Sequence, residues 1–457
     1  MDVIAAIATG ASPTAIGIVR VSGDGCFALC DRVFRAVNGR PFHDQEARNM
    51  AFGDMLDAQG RCIDHGLAVR FPAPHSYTGE DSAEFHCHGS PVVLRELLSA
   101  LFVAGARQAG PGEFTKRAFL NGRLDLTEAE AVVDLIGSET AAAARNAAAQ
   151  LSGSLRRDFQ AVTNTLLDIT TRFYAVVDYP DEDIPDIHPE EVSAALTAAG
   201  DTLRRLLATC SRGRVLKNGV ATAIIGRPNA GKSSLLNALA GYERAIVTDI
   251  PGTTRDTVEE SVVCGGVRLR LIDTAGIHDT EDTVERLGVE RSRQALEQAD
   301  LALAVVDGSA PLTEEDGEIL RLASRCPRWI LVLNKQDLNC GRGTIYLLDT
   351  SLPKPAAAVE VSALKGDVFS LERAVAKLFP EGDVPDGSIL TNERQEDAAR
   401  RALAAVERAA AALAEGFTPD AILTDAEEAL DALGELTGRT AREEIVSGIF
   451  SRFCVGK

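Results

Sequence analysis

Short apolar runs alternate with stretches of helical spacing between residues 218 and about 380. The runs lie at Val220–Ile225, Glu259–Cys264, Val267–Ile272, Leu301–Val306, Trp329–Leu333 and Ala358–Val361. Apolar strands joined by helices are typical of a parallel sheet that is covered on both faces. The pattern therefore predicts a mainly parallel α/β domain in this part of the chain.

The first 120 residues have a mixed pattern. Strands are predicted at Val3–Ala8, Ile16–Val21, Gly66–Arg70 and Ala83–His88, and a helix over Pro91–Ala104. A polar loop, Ser76–Asp81, precedes the last of these strands, and loops of this composition are most often turns. This segment is predicted to be an α+β domain.

Alanine-rich stretches with leucine and valine at helical spacing fill residues 121–217 and 381–457. The clearest are Glu128–Ile136, Thr140–Leu151 and Thr391–Leu436. Because the two regions resemble each other, we interpret them as one discontinuous helical domain with the α/β domain inserted. The predicted fold is multidomain, with boundaries at 1–120, 121–217, 218–380 and 381–457.

Composition narrows the class of protein. The net charge of −20 argues against broad electrostatic attraction to nucleic acid. The nine cysteines form no C-x-x-C pair, which favours a reducing cytoplasm over a disulfide framework. No apolar run is long enough to span a membrane, and the first residues lack the features of a signal peptide.

One basic run stands out in this acidic chain. It comprises Arg204, Arg205, Arg212, Arg214 and Lys217. A solvated helix face is the favoured interpretation, and an RNA-facing patch is the alternative.

The strongest chemical signal is Gly226-Arg-Pro-Asn-Ala-Gly-Lys-Ser233, which follows an apolar strand and opens a helix. It fits the phosphate-binding pattern G-x-x-x-x-G-K-[ST]. Glycines let backbone N–H groups converge on phosphates, and the helix N-terminus favours negative charge. Lys232 is expected to reach the β- and γ-phosphates, and Ser233 to hold Mg²⁺.

Further motifs follow at the ends of predicted strands. In Asp273-Thr-Ala-Gly276, Asp273 is expected to organise Mg²⁺, and Thr254 to complete its coordination. Asp337 in Asn334-Lys-Gln-Asp337 can accept N1–H and the exocyclic amine of guanine, which adenine cannot offer. The predicted GTP contacts are Asn229, Ala230, Gly231, Lys232, Ser233, Ser234, Thr248, Asp249, Ile250, Pro251, Gly252, Thr253, Thr254, Asp273, Thr274, Ala275, Gly276, Asn334, Lys335, Asp337, Ser362, Ala363 and Leu364.

This set of motifs resembles the translation-factor-like GTPases, with one departure. Ile277 stands where Ras-like enzymes carry a water-orienting glutamine, so hydrolysis needs other help. Asn229, with Thr248, Ile250 and Thr253, is similar to the set with which some GTPases bind K⁺ in place of an arginine finger. Glu285 is a candidate for orienting water, although on spacing alone an exposed glutamate at a helix start is the favoured interpretation and only the resemblance of the whole chain raises the catalytic one. Arg255 and Cys454 are further catalytic candidates.

His86-Cys87-His88 invites comparison with a metal site. On a strand, however, the two histidines share one face while the cysteine points to the other. A fourth ligand is not evident and the spacing misses the known zinc patterns, so a metal site is disfavoured.

The whole chain resembles the MnmE (TrmE) family of tRNA modification GTPases. Beyond the nucleotide motifs, the likeness rests on short segments spread over the chain. They are Gly17-Ile-Val-Arg-Val-Ser-Gly23, Tyr77-Thr-Gly-Glu-Asp81, Pro111-Gly-Glu-Phe-Thr-Lys-Arg-Ala-Phe-Leu-Asn121, Leu124-Asp-Leu126 and the terminal Cys454-Val-Gly-Lys457.

The resemblance implies an N-terminal domain that forms a homodimer and binds 5,10-methylene- or 5-formyl-tetrahydrofolate. Arg20, Glu80 and Lys457 match family folate contacts, and Arg123 stands where other members carry lysine. The family implies a flavoprotein partner, MnmG, in a heterotetramer. Together they add an aminomethyl or carboxymethylaminomethyl group to carbon 5 of the wobble uridine of certain tRNAs, while GTP hydrolysis drives the conformational cycle.

A second hypothesis stays open. A potassium-activated GTPase switch in ribosome assembly would share the nucleotide motifs but would need no folate pocket. The N-terminal polar loops and the C-terminal segment from Cys454 to Lys457 favour the modification enzyme.

Overall fold

The computed structural model describes residues 2–10, 12–178, 188–242, 260–272, 293–338, 354–380, 387–451 and 453–456. The chain forms two compact units. The first comprises Met1–Val133, Gln150–Arg204 and Asp397–Lys457, and the second comprises Asp134–Ala149 and Arg205–Glu396. The domain boundaries near residues 120, 217 and 380 stay predictions. Within the described ranges, none of the helices is long and apolar enough to cross a membrane.

The first unit contains a seven-stranded sheet of order β3-β4-β5-β6-β2-β1-β7. Its strands are β1 Ile4–Ile7, β2 Thr14–Ser22, β3 Phe34–Ala36, β4 Ala51–Leu56, β5 Cys62–Phe71, β6 Ser82–Gly89 and β7 Arg107–Gln108. The four predicted strands are confirmed as β1, β2, β5 and β6, whereas β3, β4 and β7 were not predicted. Neighbours pair antiparallel except β1 and β7, which are parallel.

Seven of the described α-helices lie between residues 26 and 207. They are α1 Cys26–Cys30, α2 Pro91–Ala104, α3 Glu113–Leu120, α4 Leu126–Ile136, α5 Ala141–Leu151, α6 Ser154–Asp178 and α7 Pro189–Leu207. The helix predicted over Pro91–Ala104 is confirmed at both ends. Proline occupies its first turn and Gly105, with φ of 118°, caps its C-terminus.

The C-terminal helices pack on the beginning of α3. The later helices are α8 Cys210–Asn218, α9 Lys232–Tyr242, α10 Glu314–Ala323, α11 Phe369–Leu378, α12 Glu393–Ala414, α13 Pro419–Thr437 and α14 Glu443–Phe450. A Cβ on Gly112 would lie 2.6 Å from the Phe450 oxygen, so only glycine lets the chain approach this closely. The single helical region predicted over Thr391–Leu436 is two helices, because Gly416, with φ of 73°, interrupts it before Pro419.

The second unit contains a six-stranded sheet of order β13-β12-β11-β8-β10-β9. Its strands are β8 Val220–Gly226, β9 Ser261–Cys264, β10 Val267–Leu271, β11 Leu301–Asp307, β12 Trp329–Asn334 and β13 Ala357–Glu360. All six predicted strands are confirmed, with ends close to the predicted residues. Only β9 and β10 pair antiparallel; the other neighbours are parallel, as predicted.

Both faces of this sheet are buried. Leu303 and Val305 face one apolar cluster with Leu235 of α9, while Ala302 and Ala304 face the other with Trp329. Trp329 is 4% exposed. Because β8, β11 and β12 are parallel, the loops that follow them lie together at the carboxyl edge of the sheet, where ligands bind in such folds.

Candidate functional site

The loop after β8 has the backbone shape that a phosphate site needs. Asn229 and Gly231 have φ of 61° and 93°, so two residues adopt left-handed conformations in a short turn. Helix α9 begins directly afterwards, at Lys232. A Cβ on Gly231 would lie 2.2 Å from Asn334 Nδ2, so glycine is required there. The loop therefore presents backbone N–H groups and a helix N-terminus to one point.

Lys232 is held by this loop. Its Nζ donates to the backbone oxygens of Gly226 and Arg227, each at 2.9 Å. Burial lowers the pKa of Lys232. The ammonium is thus already placed inside the loop, where a bound phosphate could receive its hydrogen bonds.

The loops after β12 and β13 meet through side chains that are far apart in the sequence. Ser362 Oγ donates to Asp337 Oδ1 at 2.7 Å. This hydrogen bond lowers the pKa of Asp337, so the carboxylate is ionised and can accept hydrogen bonds at neutral pH. The second oxygen of Asp337 remains as a further acceptor, which suits a base that offers two neighbouring N–H donors.

Asn334 connects the two ends of the site. Its Nδ2 donates to the Ala230 oxygen at 3.0 Å, and its Oδ1 accepts from the Ala363 N–H at 3.0 Å. Asn334 is buried, with 2% exposure. One amide therefore fixes the phosphate loop and the Ser362–Leu364 loop relative to each other.

Lys335 lies beside these residues in a left-handed conformation, with φ of 63°. Its Nζ pairs with Asp307 Oδ2 at 2.7 Å. Burial alone would raise the pKa of Asp307, but hydrogen bonds from Lys335 and Ser309 outweigh it and lower the pKa. Leu364, one of the predicted GTP contacts, is 82% exposed, so its side chain is available to a ligand but packs little on the protein.

The metal predictions are only partly covered by the structure. Ser233 is exposed on the first turn of α9, as a Mg²⁺ ligand must be, and Ser234 is half-buried beside it. Asn229, the first predicted K⁺ ligand, is exposed in the loop. The predicted residues that lie outside the described ranges are Thr248, Asp249, Ile250, Pro251, Gly252, Thr253, Thr254, Arg255, Asp273, Thr274, Ala275, Gly276, Ile277, Glu285 and Lys457.

In the first unit, the predicted folate contact Glu80 has one satisfied and one unsatisfied oxygen. Oε2 accepts from Ser22 Oγ and from Arg117 Nη1, each at 3.0 Å. Oε1 is buried and has no hydrogen-bond partner among the described atoms. Because a buried carboxylate oxygen without a partner is costly, this atom fits a ligand that brings N–H donors.

Arg20 lies in the same sheet but is directed to other partners. Its Nε donates to Glu84 Oε1 at 2.9 Å, and its guanidinium lies over the rings of Tyr77 and Phe114 at 5.4 and 5.8 Å. An arginine stacked in this way is fixed in orientation, and its remaining N–H groups can bind a carboxylate or carbonyl.

The remaining folate and catalytic candidates flank helix α3. Arg123 is exposed just after it. Cys454 is exposed at the C-terminal end, where its backbone oxygen accepts from the Gly112 N–H at 3.4 Å, and Val455 bridges to Pro111. The terminal segment is therefore attached to the start of α3.

Arg117 was missed by the sequence analysis, although it lies within one of the quoted motifs. It is 5% exposed and contacts three carboxylates, Glu80 at 3.0 Å, Asp2 at 2.8 Å and Glu113 at 3.1 Å. Burial alone would lower the pKa of Arg117, but hydrogen bonds and charge from Glu80 and Glu113 outweigh it and raise the pKa. The sequence offered one signal, a basic residue in the same motif as Glu113. Only the fold shows that Arg117 also faces Glu80.

His86, Cys87 and His88 do not gather around one point. Cys87 is buried, His88 Nδ1 lies 2.9 Å from Asp64, and His86 Nε2 lies 3.4 Å from Glu84. Within the described residues, the group of potential metal ligands is instead Asp54, Cys62 and His65, whose ligand atoms lie within 4.8 Å of one another. A hydrogen bond between Asp54 Oδ1 and His65 Nδ1, at 2.8 Å, accounts for two of its members.

The basic run lies against acidic side chains. Arg204 pairs with Asp201 and Glu407, each at 2.8 Å. Arg214 pairs with Glu396 at 3.5 Å and Lys217 with Asp134 at 2.9 Å. Arg205 and Arg212 also have interaction partners. These pairs favour the interpretation as a solvated helix face over an RNA-facing patch.

The described cysteines are all free, and those at 26, 30, 87, 210, 264 and 326 are buried. Burial raises the pKa of Cys87 to about 11 and that of Cys264 to about 12, so these thiols stay protonated at neutral pH. The described part of the chain agrees with the prediction of buried thiols without a disulfide framework.

Comparison with known proteins supports the resemblance to the MnmE (TrmE) family along the chain. Residues 126–454 match the family model of the MnmE helical domain, and residues 3–123 match that of the GTP-binding protein TrmE N-terminus. The tRNA modification GTPase MnmE of Heliobacterium modesticaldum is 44% identical over 465 residues, covering 100% of this chain and 99% of that protein. Those of Symbiobacterium thermophilum and Lactobacillus delbrueckii subsp. bulgaricus are 44% and 42% identical, each covering 100% of this chain and 99% and 98% of the relative.

Proposed function

The chain belongs to the MnmE (TrmE) family of tRNA modification GTPases, and from that premise we propose a potassium-dependent, folate-using enzyme that modifies the wobble uridine. It hydrolyses GTP and, with the flavoprotein MnmG, adds an aminomethyl or carboxymethylaminomethyl group to carbon 5 of that uridine. The observation that carries the proposal is Asn334, which binds Ala230 in the phosphate loop and Ala363 in the base loop.

Guanine selection is assigned to Asp337. Its carboxylate, oriented by Ser362 at 2.7 Å, accepts N1–H and the exocyclic amine of guanine. Ala363 and Leu364 follow Ser362 at the same end of the site, and Lys335 is held there by Asp307 at 2.7 Å. Adenine lacks this pair of donors, so the site favours GTP over ATP.

The phosphates are assigned to the loop from Asn229 to Ser234. Lys232 moves its hydrogen bonds from the Gly226 and Arg227 oxygens to the β- and γ-phosphates when nucleotide binds. Ser233 and Thr254 are the proposed Mg²⁺ ligands, with Asp273 organising the ion. Held by these residues, Mg²⁺ would supply positive charge next to the transferring phosphate.

Potassium is assigned to Asn229, Thr248, Ile250 and Thr253, and Glu285 to orienting water. The exposed position of Asn229 on a left-handed turn supports this, because its side chain is available to a cation beside the phosphates. Ile277 cannot orient water, so hydrolysis needs other help, and a cation bound here would supply the stabilisation that an arginine finger gives elsewhere.

We predict that GTP turnover in KCl exceeds turnover in NaCl by about tenfold or more, since one lost electrostatic contact costs at least that much. Initial rates of phosphate release at equal ionic strength measure it. RbCl, whose cation is close to K⁺ in size, is the positive control. Equal rates in NaCl and KCl would contradict the assignment of Asn229.

The one-carbon donor is assigned to the first unit, through Arg20, Glu80, Arg123 and Lys457. The unpaired Glu80 Oε1 is an acceptor suited to the amino and N–H donors of a pterin, while the cations suit the carboxylates of the glutamate portion of the folate. Such a carrier supplies a one-carbon unit when bound. Glu80 and the stacked Arg20 serve to bind and orient it.

Replacing Glu80 by Gln is expected to weaken binding of 5-formyltetrahydrofolate by about 10- to 100-fold, because an amide N–H would face the pterin donors. A calorimetric titration measures it. Glu46→Gln, a matched change at an exposed site in the same unit, should leave affinity unchanged. No saturable binding by the unaltered protein would favour the ribosome-assembly switch, and an equal affinity in the variant would remove Glu80 from the site.

The assembly is assigned to a homodimer that joins MnmG in a heterotetramer in the cytoplasm. The net charge of −20 and the paired basic run suit a division in which the partner supplies much of the grip on tRNA. Cys454 is exposed on the anchored terminal segment and is retained, with Arg255, as a catalytic candidate.

A further inference from the structure

The carboxylate of Asp316 is fully buried near the start of helix α10, with 0% side-chain exposure. One oxygen, Oδ2, accepts from the backbone N–H and the hydroxyl of Thr313, at 2.9 and 2.8 Å. The Asp316 N–H donates back to the Thr313 hydroxyl at 3.3 Å, which completes a capping box. Capping therefore uses only one of the two oxygens.

The other oxygen binds the phosphate loop. Arg227 Nε donates to Asp316 Oδ1 at 2.6 Å, across 89 residues of sequence. Arg227 is the first residue after β8, two positions before Asn229, and its backbone oxygen is one of the two that hold Lys232. Its side chain is 23% exposed, and its Nη1 lies 4.0 Å from Glu315 Oε2.

Capping alone does not account for a buried charge at this position. A neutral residue can cap a helix, whereas a buried carboxylate needs a compensating cation. The compensating cation is Arg227, which belongs to the proposed phosphate loop. A second acidic residue of the same unit, Asp307 at the end of β11, pairs in a similar way with Lys335, which follows β12.

We propose that Arg227 and Asp316 form a positioning pair that holds the phosphate loop in its binding shape before nucleotide arrives, and so sets nucleotide affinity. The inference rests on the proposed GTP site. Because the two side chains bind each other across the start of the loop, loss of the pair costs affinity by lowering the fraction of loops in the binding shape. A loop that is competent about a tenth of the time binds about tenfold more weakly.

The experiment measures the Kd of fluorescent GDP and GTP analogues for Arg227→Gln, Arg227→Lys, Asp316→Asn and the double variant Arg227→Gln/Asp316→Asn. We expect about tenfold weaker binding of both nucleotides in Arg227→Gln and Asp316→Asn. Arg227→Lys should recover part of the loss, because it keeps the charge. The double variant should bind no more weakly than either single variant, because the two changes remove the same interaction.

Arg408→Gln is the matched control. It removes an arginine of helix α12 that pairs with Asp425 and Glu428, both on helix α13. Its nucleotide affinity should not change. A lower Tm with unchanged Kd in Arg227→Gln would show a purely structural pair and overturn the proposal. Strictly additive losses in the double variant would also overturn it. Failure of the unaltered protein to bind either nucleotide would instead refute the proposed function.

Discussion

Replacing Asp337 by Asn should transfer the nucleotide preference of the protein from GTP to XTP. Asn can accept N1–H through its oxygen but offers an N–H to the exocyclic amine of guanine, where two donors meet. Xanthine carries an oxygen at that position and accepts the amide N–H. Loss of the carboxylate oxygen that accepts from the exocyclic amine should reduce kcat/KM for GTP by about 10³- to 10⁴-fold.

The structure makes this exchange conservative. Ser362 can still donate to the Asn oxygen, and Asp337 is not part of a buried ion pair among the described residues. Asp367→Asn is the matched control, an exposed aspartate on the loop that follows Ser362. Competition assays with GTP, XTP and ATP give the three preferences. An Asp337→Asn protein that still prefers GTP over XTP would place the base elsewhere.

Replacing Lys232 by Ala should reduce kcat for GTP hydrolysis by about 10³-fold, the cost of losing one charged donor to the transition state. The same change removes two hydrogen bonds within the loop, to the oxygens of Gly226 and Arg227. Nucleotide binding should therefore weaken as well. Single-turnover phosphate release with saturating GTP separates the effect on chemistry from the effect on binding.

Lys377→Ala provides the control, because it removes one exposed positive charge from helix α11 in the same unit. Turnover should be unaffected. The folded state of Lys232→Ala is checked by its thermal transition, since Lys232 is partly buried. Turnover within tenfold of the unaltered protein would mean that the loop after β8 does not receive the transferring phosphate.

The second sheet could be predicted almost completely because burial on both faces makes its central strands, β8, β11 and β12, continuous apolar runs. The first sheet could not. Strand β4, Ala51–Leu56, carries Gly53 and Asp54 in its interior, which are residues depleted in strands. It forms because β3 and β5 pair with it on either side. Such pairing depends on contacts distant in sequence.

The residues of the candidate site also fall into two groups, those that could be predicted from the sequence and those that could not. The phosphate loop and the guanine motif could be predicted because their chemistry constrains consecutive residues. The Arg227–Asp316 pair and the contact of Arg117 with Glu80 join residues 89 and 37 positions apart, and no spacing rule connects them. The sequence identified the residues that touch a ligand, whereas the fold was needed to identify those that hold them in place.

Trp329 is the only tryptophan of the chain, and it is buried in strand β12 of the second unit. Excitation at the red edge of the absorption band therefore selects one indole in the second unit, leaving the five tyrosines largely dark. Its emission spectrum acts as an intrinsic optical probe of that unit, so melting of the second unit can be followed separately from that of the first without attaching a dye.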